Sequence, residues 1–140
     1  MKGVDLTGAI RSIWESRLGF DVRRAAEIPD VQGRTLMVVV RMEGMPRSAV
    51  IFECPAPLAR RMAGRLRGRP SHAIEIEDVE EALGEIAALT GASLMPGLRA
   101  ERPVAAIVDD GEDRPRRPKR ELRREAFACE GQVFVVTLAS

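Results

Sequence analysis

The densest set of groups able to do chemistry lies between Glu77 and Ser93, in the run Glu-Asp-Val-Glu-Glu-Ala-Leu-Gly-Glu-Ile-Ala-Ala-Leu-Thr-Gly-Ala-Ser. Val79, Ala82, Leu83, Ile86, Leu89, Thr90 and Ser93 recur at helical spacing, which predicts a helix with a broad, small-residue face. On such a helix Glu81 and Glu85 stand one turn apart on one face, and Ala88 follows three residues beyond Glu85 on that face. Paired carboxylates can orient a water or accept a proton. Acids in the first turns of a helix also favour its N-terminal dipole, or simply solvate an exposed face. Ala88 can neither donate nor accept a hydrogen bond.

Elsewhere the chemistry thins out. The chain has two cysteines, Cys54 and Cys129, and one histidine, His72, in no zinc-type spacing, so the sequence indicates no metal site and no small-molecule cofactor. Two buried thiols in strands is the reading the spacing favours. There is no Asn, and the only side-chain amides are Gln32 and Gln132. The segment Arg114–Arg124 carries seven basic residues with Pro115 and Pro118. Arg forks suit phosphate. No aromatic interleaves this segment, and the acids at Asp109, Asp110, Glu112 and Asp113 blunt its field, which counts against nucleic acid. A charged loop between two strands, or a grip on an acidic protein surface, accounts for it better.

These groups need a scaffold. The 140 residues are 45% hydrophobic and 31% charged, with 22 basic against 21 acidic side chains, and so predict one soluble domain over 1–140. A net charge of +1 supplies no global field toward nucleic acid or membrane. No apolar run approaches the ~20 residues of a membrane helix. The start at Met1-Lys2-Gly3 shows no signal core, so a cytoplasmic location is expected.

Leu6, Ile10, Ile13, Trp14 and Leu18 predict a helix over 6–18, with Asp5 or Thr7 as N-cap and Gly19 as its stop. Residues 20–25 form a weak strand closed by Pro29-Asp30. Residues 34–42 and 48–52 form a hairpin around Glu43–Pro46, its first arm apolar enough to be covered on both faces. After Cys54-Pro55 a second helix carries Leu58, Met62 and Leu66 inward and Arg60, Arg61, Arg65 and Arg67 outward, ending at Gly68 and Pro70. Val104–Val108 reads as a buried strand. Residues 125–129 and 132–138 read as a second hairpin about Glu130-Gly131. The total is about six strands and three helices, an α+β domain with a largely antiparallel sheet.

The third helix resembles the active-site helix of the CheC/CheX/FliY family of chemotaxis phosphatases, which act on phosphorylated CheY. There the helix reads Asp/Ser-x-x-x-Glu-x-x-Asn, with Gly before the Glu. Here Glu81 stands at the Asp/Ser position, Gly84-Glu85 match, and Ala88 stands at the Asn. The order of elements from Leu6 to Leu138 is also that of a CheX-type domain. In the family the Asn carboxamide positions a water for in-line attack on the aspartyl phosphate, while the Glu reaches a lysine of the receiver. Most of that catalysis is positioning.

The resemblance therefore implies a chemotaxis or two-component signalling domain whose partner is a phosphorylated response-regulator receiver, with Glu85 and Glu81 as site residues. Mg²⁺ would belong to the receiver, and homodimerisation is a family implication. Losing one positioned hydrogen-bonding group costs on the order of 100-fold in rate, so Ala88 implies a weak or absent phosphatase. Replacements for the Asn are Glu81, Thr90, Gln32 and Gln132. The alternatives are a working phosphatase using Glu85 with Glu81, and nucleic-acid binding through Arg114–Arg124.

Overall fold

The computed structural model describes residues 5–27, 34–108 and 121–139. Three helices lie on one face of a six-stranded antiparallel sheet. The strands are β1 (Arg23–Arg24), β2 (Thr35–Met42), β3 (Met45–Pro55), β4 (Val104–Val108), β5 (Glu121–Cys129) and β6 (Gln132–Ala139). Their order across the sheet is β1-β5-β6-β3-β2-β4. The helices are α1 (Leu6–Ile13), α2 (Ala56–Arg67) and α3 (Ile76–Leu94).

Both expected hairpins are present, and both are longer than the apolar runs alone indicate. β3 takes in Met45 and Pro46, so the turn shrinks to Glu43-Gly44, with Gly44 at φ 80°. β5 starts at Glu121 inside the basic run, and Arg123 and Arg124 pair with Leu138 and Thr137 of β6. The rest of the Asp109–Arg120 stretch, like Gln32 and the Pro29-Asp30 stop, lies outside the described residues.

Strand alternation sends Val38, Val40, Val50, Phe52, Phe134, Val136 and Phe127 to the helix side, where they form the main core. Trp14 stacks on Phe134 at 4.2 Å between centroids and 7° between planes. On the opposite face Met37, Ile51 and Ala139 are also buried, with Val39 against them. β2 is thus covered on both faces, as its composition indicates.

Three expectations are corrected. The segment 6–18 is one helical stretch, but its second part, Trp14–Leu18, is a π-helical turn closed by Gly19 at φ 70°. Asp5 caps the start, its carboxylate accepting from Gly8 N at 2.9 Å. β4 is an edge strand paired to β2 alone, with Val104 68% exposed, so it is not the buried strand its five apolar residues predict. The weak strand over 20–25 contracts to Arg23–Arg24, which pair with Phe127 and Ala128 of β5.

Buried charge is paired. Glu125, 5% exposed, accepts from Arg123 Nε at 3.0 Å and from the Thr7 hydroxyl at 3.3 Å, and meets Arg24 at 3.3 Å. One carboxylate so ties α1 and β1 to β5, since an unpartnered charge there would carry a large desolvation penalty. Glu53 on the other face meets Arg124 at 3.6 Å.

Candidate functional site

The third helix forms where the spacing predicts it. Asp78 accepts from the backbone N of Glu75 at 3.4 Å, and Glu77 and Asp78 add charge to the first turn. Val79, Ala82, Leu83, Ile86, Ala87, Thr90 and Gly91 face inward. Gly91 lets the helix lie close on β2, because a Cβ there would stand 2.7 Å from Met42 Sδ. The small-residue stretch is thereby explained as a packing surface. The Thr90 hydroxyl donates to the Ile86 carbonyl at 2.9 Å within the core and is not available at the surface.

The outward face of α3 borders a groove of about 620 Å³ lined by Glu77, Glu80, Glu81, Gly84, Glu85, Ala88, Arg102, Pro103 and Ala105. Glu81, Glu85 and Ala88 therefore come together in one concavity. Gly84 sets its width: a Cβ at this position would stand 3.1 Å from Pro103 Cβ, so any side chain there presses on the segment before β4. Toward its C-terminal end the groove continues past Glu85 and Ala88 into a second hollow bounded by Leu89, Ala92, Leu98 and Arg99. One end of the trough carries four carboxylates against one guanidinium, and the other end is largely apolar. Gln132, the first residue of β6, lines neither hollow.

Two of these carboxylates are bridged. Arg67, in the last turn of α2, reaches Glu85 at 3.5 Å and Glu81 at 3.7 Å. The Glu81 side chain is 73% exposed, Glu85 50% and Arg67 29%. The sequence places Arg67 on a solvated helix face. Instead its guanidinium bridges the two acids across the α2–α3 contact. Nothing in local periodicity identifies it, because the bridge depends on the crossing of two helices. Arg102 and Pro103 escape the sequence for the same reason.

Cys54 and Cys129 are both buried free thiols in strands, as expected. Burial pushes both thiols up, Cys129 to about 11, with Glu130 and Asp21 adding to it in the same direction. Neither is suited to act as a nucleophile near neutrality. Among the described residues no group of three His, Cys, Asp or Glu side chains is placed to hold a metal ion, and no helix is long and apolar enough to cross a membrane.

This six-stranded sheet with three helices on one face is the fold of the CheC/CheX/FliY chemotaxis proteins. A chemotaxis protein CheX from Desulfovibrio desulfuricans superposes with a TM-score of 0.68 over 96% of this chain and 95% of its own, at 12% identity. FliY from Thermotoga maritima matches with a TM-score of 0.67 over 99% of this chain and 86% of its own, at 15% identity. A Borrelia burgdorferi CheX, crystallised in a complex with CheY, BeF3 and Mg²⁺, matches with a TM-score of 0.60 over 96% and 94%, at 13% identity. No protein-family model and no curated protein matches the sequence.

Proposed function

We propose that the chain is a CheX-like domain of chemotaxis or two-component signalling that docks a phosphorylated response-regulator receiver along α3, and that it is weak or inert as a phosphatase. The observation that carries this reading is the joint display of Glu81, Gly84, Glu85 and Ala88 in one surface groove, at the positions where the resemblance expects its motif. The fold shared with a CheX crystallised on CheY supports the choice of partner. Glu85 is the docking carboxylate, Glu81 its neighbour one turn earlier, and the receiver brings its own Mg²⁺. A cytoplasmic location and homodimerisation belong to the same proposal.

Ala88 lies at the groove but offers no polar atom to hold an attacking water. Its neighbours on the helix face, Glu85 and Glu81, are carboxylates, which would repel an approaching phosphoryl group and are already engaged by Arg67. This geometry favours docking over turnover. Phosphate release from a phosphorylated receiver of the same genome tests it, with Glu85→Ala and Ala88→Asn beside the parent. The reading expects an inert parent that binds, and activity gained by Ala88→Asn. An active parent silenced by Glu85→Ala would instead establish the phosphatase.

A further inference from the structure

A second concavity lies on another face of α2, remote in character from the acidic groove. It measures about 530 Å³ and is lined by Phe20, Arg61, Arg65 and Arg69, with Gly64 and Glu130 among its walls. Its size falls in the range of small-ligand pockets, ~300–1,000 Å³. We infer that it is a binding site for a compact polyphosphate, of the class carried by nucleoside di- and triphosphates.

Three features build the site. Arg61 and Arg65 stand one turn apart on α2, a rise of ~6 Å that spans more than one phosphoryl group, and Arg69 beyond the helix end lines the same concavity. Arg69 is brought into line because the chain folds back after Gly68, at φ 68°. Its N donates to the Gly64 carbonyl at 2.9 Å, and any Cβ at Gly64 would meet the Arg69 carbonyl at 2.7 Å. The floor is Phe20, delivered by the π-helical turn and Gly19, set 6.4 Å from Trp14 and covered by Arg65 at 5.4 Å from the ring centroid. Cation–π contact orients that guanidinium without neutralising it.

The charge is left largely uncompensated. Arg61 meets Glu130 at 3.7 Å, while Arg65 and Arg69 have no carboxylate partner among the described residues. The helix dipole accounts for a preference for bases in the last turn of α2. It does not account for three guanidiniums converging on one concavity with an aromatic floor. Guanidinium forks bind phosphoryl oxygens bidentately. Glu130 then competes with the ligand for Arg61.

Calorimetric titration of the intact chain with tripolyphosphate, and in parallel with ATP and inorganic phosphate, tests the site. The expected result is saturable 1:1 binding of tripolyphosphate and ATP, much weaker binding of phosphate, and losses of about tenfold or more for Arg65→Gln and for Arg69→Gln. Glu130→Gln tightens binding several-fold. Arg60→Gln removes the same charge from the same helix outside the concavity and changes affinity less than threefold. Far-ultraviolet circular dichroism confirms that each variant is folded. The proposal is overturned by an absence of saturable heat at millimolar ligand, by an equal loss for Arg60→Gln, or by equally tight binding of a glutamate peptide of matching charge.

Discussion

Replacing Gly84 separates the preferences of α3 from the packing that shapes its groove. A Cβ at this position stands 3.1 Å from Pro103 Cβ and 3.2 Å from its Cγ, against an optimum of ~3.5–4.0 Å between carbons. Alanine also removes the cost of glycine in a helix interior, about 1 kcal/mol. Pro103 is half-buried and precedes an edge strand, so it can retreat by the few tenths of an ångström required. Gly84→Ala should therefore change stability by less than about 1 kcal/mol, a few degrees at most in the melting temperature. Gly84→Val points two further methyl groups at the same ring. Overpacking of that kind costs ~1–3 kcal/mol, and a β-branched side chain returns little of it in helix propensity. The Val variant should melt lower by about 5–10 °C, and the displaced Pro103 segment should weaken receiver docking by tenfold or more. Circular-dichroism melts and a receiver titration read both effects. If Gly84→Val melts and binds like the parent, the contact between α3 and Pro103 does not shape the groove, and the reasoning fails.

Other expectations follow from single contacts. Arg67→Ala removes a bridge to two largely exposed carboxylates, so it should cost less than about 1 kcal/mol, and a double-mutant cycle with Glu85→Ala should show a coupling that shrinks with added salt. Trp14→Ala empties a fully buried site stacked on Phe134 and should cost ~3–5 kcal/mol in urea unfolding. The Cys129 thiol, raised by burial from 9.0 to about 11, keeps its proton in the native state where the unfolded chain loses it. Stability should therefore be full below pH 9 and fall as pH rises toward 11. Urea midpoints at pH 8 and 10.5 measure the fall, which Cys129→Ala should make shallower while the buried Cys54 thiol, raised in the same direction, retains the rest of it.

The legible parts of the fold are those fixed by local chemistry. β-Branched runs give β2 and β6, Gly19 and Gly68 end their helices in the left-handed conformation, and apolar periodicity gives α3. What escapes depends on partners distant in sequence. Val104–Val108 is as apolar as a central strand, yet it pairs on one side only, and sheet order is invisible in a five-residue run. The π-helical turn at Trp14–Leu18 leaves no mark in composition. At the site, the shared face of Glu81, Glu85 and Ala88 is readable from spacing. The clamp of Arg67 and the closure of Pro103 on Gly84 are products of how α2 and the segment before β4 cross α3.

On the reading proposed above, α3 and its groove form the docking face for an activated receiver. Amide chemical-shift mapping of the ¹⁵N-labelled chain tests it most directly, by titration with a receiver domain of the same genome activated with beryllium fluoride and Mg²⁺. Shifts should concentrate at Glu77–Ala92 and Leu98–Ala105, be absent with the unactivated receiver and be lost in Glu85→Ala. Shifts confined to the β5–β6 turn and the arginines of α2, or none at any concentration, would contradict it.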